Sequence, residues 1–147
     1  MPSEAANLNR KSMAMIGLRA SGPASAIDLP PLLRKGIPSA ALEKVAKALE
    51  LSTLAVAEYL GLAKRTVARR LSAKATLTPE ESERVFRAAR AITEAQRVFG
   101  DRDKARRWLM APSRALGGAL PVSLLDTDVG ASAVFDELGR IDFGVFA

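Results

Sequence analysis

Apolar residues recur at helical spacing through most of this 147-residue chain, and no alternating strand pattern of useful length is visible. Pro38 and Ser39 suit a helix start, and Leu42, Val45, Ala46 and Leu49 then repeat as one buried stripe. Val56, Ala57 and Leu60 give a second short helix an apolar face, Gly61 supplies a turn, and Leu62, Val67 and Leu71 let a third helix pack back on it. A small residue at Ala57 fits the crossing point, and Gly61 suits a backbone with positive φ. The stretch Thr53 to Ser72 therefore reads as a complete helix-turn-helix. Next comes the clearest start signal in the chain: Thr78, Pro79, Glu80 and Glu81 combine an N-cap hydroxyl, a first-turn proline and a capping-box glutamate. The helix it opens is expected over about 79–99, with Gly100 as its stop and Val85, Ala88, Ala89, Ile92 and Phe99 as its buried stripe. Glu80 with Arg84 and Glu83 with Arg87 are spaced as exposed ion pairs. Asp101 can cap a further helix through Trp108 and Leu109 that Pro112 ends, and short helical pieces follow at 121–125 and 129–138.

The fold class is thus all-α: an N-terminal helix-turn-helix followed by a helical C-terminal domain. Residues 1–27, rich in Ala, Ser, Asn and Gly without clear periodicity, read as a loosely ordered arm whose Arg10, Lys11 and Arg19 are either solvated or touch DNA. Residues 28–77 form the helix-turn-helix segment and 78–147 the C-terminal one.

Charge sharpens this picture. The net charge is +6, yet residues 1–75 carry twelve basic against five acidic groups and residues 76–147 ten against eleven. Five Lys and Arg fall between Lys64 and Lys74 with no acid among them. A basic helix face is often only solvated, but here pattern and charge agree on the second helix of the hairpin. Its outward residues Lys64, Arg65, Thr66, Arg69 and Ser72 are the expected DNA contacts. Arg70 stands where an apolar or small residue is more usual, and is expected to run along the hairpin towards a phosphate.

The chain has no cysteine and no histidine. That removes the usual zinc ligands, thiol nucleophiles, imidazole bases and disulfides, so catalytic, metal and cofactor sites are not expected. Gly117–Gly118 lacks the spacing and basic residue of a phosphate loop. No apolar run approaches the roughly 18 residues that cross a bilayer, and the run after Arg10 and Lys11 is too short for a signal sequence. The expected location is a reducing cytoplasm, without membrane contact.

The last residues are apolar, which chain ends seldom are. Phe135, Phe143 and Phe146 are three of five phenylalanines, and Ile141, Phe143 and Val145 alternate with other residues. Such a tail is buried either against its own domain or in a partner; both fit, because burying an aromatic stabilises by about 2 kcal/mol in either place.

The string from Trp108 to Gly144, WLMAPSRALGGALPVSLLDTDVGASAVFDELGRIDFG, resembles the C-terminal domain of the Xre/MbcA/ParS antitoxins. Trp108, Pro112, Gly117, Gly118, Pro121, Thr127, Gly130 and Gly144 carry the likeness, and with RTVARRL and RVFGDRDKARRWL upstream it covers roughly residues 35–147. The resemblance implies an Xre/Cro-like DNA-binding domain and a C-terminal toxin-binding domain. It further implies a toxin with a RES domain that consumes NAD⁺, neutralised by covering its active site, and an operon repressed through operator DNA. Homodimers, and larger assemblies with toxin, are implied as well. Together with the apolar tail, it points to Trp108, Gly117, Gly118, Arg140, Ile141, Phe143, Val145 and Phe146 as toxin contacts. A second reading keeps the DNA-binding half and makes the protein a free-standing transcription regulator whose C-terminal domain dimerises or senses a ligand. Neither reading requires catalysis.

Overall fold

The computed structural model describes residues 3–18 and 29–144. They form eight α-helices and no strand: α1 (Glu4–Met15), α2 (Leu29–Lys35), α3 (Ala40–Leu49), α4 (Thr53–Tyr59), α5 (Lys64–Ala73), α6 (Pro79–Phe99), α7 (Arg102–Leu109) and α8 (Asp128–Asp142). Two 3-10 turns, Arg114–Leu116 and Pro121–Leu124, lie between α7 and α8.

The axis of the molecule is α6. Thr78 Oγ1 accepts from Glu81 N at 3.1 Å while Glu81 Oε1 accepts from Thr78 N at 2.8 Å, so both free donors at the helix start are satisfied reciprocally. At the other end Gly100 takes the left-handed conformation, φ 66°. Between these caps the helix is covered on more than one side. Ala88, Ala89, Ala91 and Ala95 are all fully buried, and their small side chains allow close approach by α1, α2 and α3 and by α7 and α8. One hydrophobic core runs through both segments, from Ile37, Leu42 and Val45 to Leu109, Leu125 and Leu138.

Three sequence expectations differ from this structure. Residues 4–15 are not a loose arm: Ser3 caps α1 by accepting from Ala6 N at 3.1 Å, and the helix packs on α6. Its buried face holds Asn9, Ser12, Met13 and Ile16, so half of the stripe is polar and the apolar periodicity is hidden. Ser12 is tolerated there because its hydroxyl donates to Leu8 O at 2.6 Å. Arg87 does not pair with Glu83; it reaches across to α8, with Nη2 2.6 Å from Asp128 Oδ1 and Nη1 donating to Leu125 O at 3.0 Å. The last helix is also longer than the expected 129–138, because α8 runs from Asp128 through Ile141 to Asp142.

The close seating of α8 depends on a missing side chain. A Cβ on Gly130 would collide with the backbone oxygen of Leu124, which is not free to swing away. Gly130→Ala is expected to cost about 2 kcal/mol and to lower the melting temperature by roughly 5 °C. An unchanged thermal melt would mean that α8 does not close on the 121–124 turn.

Candidate nucleic-acid and partner interfaces

The hairpin α4–α5 is built from local signals. Ser52 Oγ accepts from Ala55 N at 3.1 Å to start α4, and Gly61, at φ 70°, reverses the chain before α5. Val56, Ala57, Leu60 and Val67 are completely buried, fixing the two helices against the core. Arg84 of α6 then clamps the turn: its Nη1 donates to Leu60 O at 3.1 Å and Gly61 O at 2.8 Å, while Nη2 contacts Glu80 at 3.2 Å. These bonds satisfy carbonyls that the end of α4 leaves without intrahelical partners.

Lys64, Arg65, Arg69 and Ser72 are exposed on α5, and Thr66 is half-buried. Arg65 and Arg69 have no carboxylate partner among the described residues. Lys64 Nζ lies 3.0 Å from Glu58 Oε2, but both groups are more than half exposed, and a pair of that kind is weak enough to be exchanged for a phosphate. Ala63 offers no side-chain cap to α5, so the first N–H groups of that helix are open to an anion. Arg70 departs from the expected set. Its Nε sits 2.8 Å from Glu81 Oε1, a close charge contact whose N–H is not aimed at the oxygen. The same carboxylate closes the α6 capping box, so Arg70 joins α5 to α6.

Beyond the C-terminal end of α6, Asp101 Oδ1 accepts from Lys104 N at 2.9 Å and opens α7. That backbone hydrogen bond holds the Asp101 carboxyl below its ordinary pKa. Trp108 is half-buried against Phe99, ring centroids 5.8 Å apart and tilted by 42°. Gly117 and Gly118, at φ 69° and 86°, are exposed in a tight loop that Ser113 closes, accepting from Gly118 N at 2.7 Å and donating to Ala119 O at 3.0 Å. Nothing packs over either glycine.

Helix α8 is anchored at both ends. Thr127 caps it and Arg87 holds Asp128, while Arg97 of α6 reaches Asp142 at 2.9 Å. Hydrogen bonds that Arg97 donates to Glu94 and then to Asp142 raise its pKa above its ordinary value. Arg90 is shifted down by burial, partly offset by Glu94; its guanidinium carbon stands 5.2 Å from the Phe135 ring centre. Positions 129, 132, 136, 140 and 143 then share one exposed face of α8. Its two ends are apolar: Val129 is 83% and Phe143 84% exposed. Arg140, also exposed, pairs with Glu137 at 3.1 Å, whereas Ile141 turns half inward. Val145 and Phe146 lie outside the described residues. Val129 was absent from the sequence-based set, and extending the helical period from Phe143 back through Arg140 and Asp136 finds it.

Residues 28–90 match the family model described as the antitoxin Xre-like helix-turn-helix domain, and residues 94–144 match that of the antitoxin Xre/MbcA/ParS C-terminal toxin-binding domain. The two matches meet within α6. Among curated relatives, an "Antitoxin Xre" of Photorhabdus laumondii is 35% identical over 78% of each chain. An "Antitoxin Xre" of Yersinia enterocolitica is 42% identical over 59% of this chain and 60% of its own length. A "Prs ADP-ribosylating antitoxin" of a Sphingobium species is 29% identical over 84% of each chain.

Proposed function

The chain belongs to the Xre antitoxin family, with a helix-turn-helix and a toxin-binding domain, and on that premise we propose that it neutralises a RES-domain toxin that consumes NAD⁺. The observation that carries this reading is the exposed face of α8. Two large apolar side chains stand in water on a helix held at both ends, inside the segment that matches the toxin-binding domain. Such side chains are the usual anchors of a protein interface. Inhibition then works by covering the NAD⁺ pocket and needs no chemistry from the antitoxin. Through α5 the same protein represses its own operon as a homodimer, with operator half-sites about one helical turn, near 34 Å, apart.

The relative named as a Prs ADP-ribosylating antitoxin favours a second reading of the partner: a toxin that transfers ADP-ribose to a protein. Because NAD⁺ is the donor in such a transfer, both readings place a NAD⁺ pocket in the toxin. They differ in its products. The test expresses the neighbouring toxin gene with and without this chain and follows the cellular NAD⁺ pool together with ADP-ribose label on protein. Loss of NAD⁺ without a labelled protein, prevented by the antitoxin, supports the RES reading; a single labelled target with the pool intact overturns it. The match of residues 94–144 to a toxin-binding domain speaks against a free-standing regulator.

A further inference from the structure

A cavity of about 830 Å³ opens between α1, α3, α6 and α7, with no residue of α8 in its lining. Six cations from four helices converge on it: Lys11 of α1, Lys44 and Lys47 of α3, Arg97 of α6, and Arg102 and Arg106 of α7. Two carboxylates in the wall, Glu50 and Asp103, are both engaged by Arg106, at 2.7 and 3.9 Å, and Arg97 is held by Glu94 and Asp142 outside it, which leaves four of the six cations uncompensated. Lys11, Lys44, Lys47 and Arg102 are exposed and have no ion-pair partner among the described residues. A solvated basic face is normally a run along one helix. Here the charges come from distant parts of the sequence and meet only because the helices pack, an arrangement whose repulsion an anion relieves. The wall is not uniformly charged. Ala14, Met15 and Ala48 supply apolar surface, and the Gln96 amide supplies a donor and an acceptor. The volume lies within the range of small-molecule sites.

From this arrangement we infer that the cleft binds a compact phosphate-bearing ligand of the nucleoside diphosphate class, its phosphates held by the lysines and Arg102 and its base laid on Met15 and Ala48. A cleft of this volume encloses a small ligand, whereas a duplex is too wide to enter it and is read by elements laid in its grooves. The inference does not rest on the identity of the toxin. It is tested by calorimetric titration of the full chain, at moderate salt, with ADP, sodium pyrophosphate, adenosine and a 20-base-pair duplex of unrelated sequence. ADP and pyrophosphate are expected to saturate one site per chain and adenosine to bind far more weakly. The variant K44A/K47A/R102A is expected to lose affinity for both phosphate ligands by roughly ten-fold or more. Its melting temperature should hold or rise, since three repelling charges are removed, and Lys47→Gln alone should show a smaller loss in the same direction. Absence of saturable ADP and pyrophosphate binding overturns the inference, as does undiminished binding by both variants. Loss of duplex binding in the triple variant, with no ADP binding by the parent chain, assigns the cleft to the DNA backbone and equally overturns it.

Discussion

Aspartate at both Val129 and Phe143 is expected to leave the antitoxin folded and the toxin active. Both side chains are more than four-fifths exposed and contribute little to the core, so the substitutions should change stability by no more than about 0.5 kcal/mol. In an interface the effect is large. Losing one buried apolar anchor costs about 2 kcal/mol or more, and a carboxylate forced into the same place adds a desolvation penalty. Toxin affinity should therefore fall by at least about a hundred-fold. The two positions are separated by fourteen residues, or about 21 Å along the helix, so the single variants report how much of α8 is covered. If Phe143→Asp alone releases the toxin, the C-terminal end of α8 does the blocking; comparable losses from both mean that the whole face docks. Deleting residues 141–147 is a less clean test, because it also removes half-buried Ile141 and the Asp142 carboxylate that Arg97 holds. Affinity and NAD⁺ consumption have to be read separately, since a truncated antitoxin can remain bound and no longer block. Full inhibition by the double variant would sink the docking surface.

What the sequence made legible was local. The capping box of Thr78 and Glu81, the left-handed Gly61 and Gly100, and the Asp101 cap each depend on residues within a few positions of one another, and each stands in the structure. Partner choice between distant elements was not legible. Spacing permits Arg87 to reach Glu83, but it cannot report that Asp128 arrives 2.6 Å away from the other side. Arg70 is a similar case: an arginine on a basic helix suggests a phosphate, until folding brings Glu81 beside it. The missed α1 shows another limit. Apolar periodicity detects a buried face only when that face is apolar, and Asn9 and Ser12 occupy two of its four buried places. The cationic cleft was equally invisible, since its charges lie as far apart as Lys11 and Arg106 in the sequence.

Removing the exposed charges of α5 should abolish operator binding while toxin neutralisation persists. In K64A/R65A/R69A none of the three lost side chains belongs to the core, and only Lys64 gives up an ion pair, an exposed one of little energetic value. Each residue that reads a guanine is worth about 1–3 kcal/mol of discrimination, and each phosphate contact contributes about 0.9 to the slope of log affinity against log salt. The triple variant should therefore lose roughly ten-thousand-fold in operator affinity if the three contacts are of middling strength, and its salt dependence should flatten. Single variants sort the roles: a base-reading arginine relaxes preference at one position, whereas a phosphate contact weakens all sequences alike. Arg70→Ala supplies the contrast. It should lower the melting temperature through its loss from Glu81 while leaving the salt slope nearly unchanged, because its guanidinium is committed to α6. Normal promoter binding by the triple variant at moderate salt would show that α5 is not the recognition helix, and a flattened slope in Arg70→Ala would return that residue to the DNA surface.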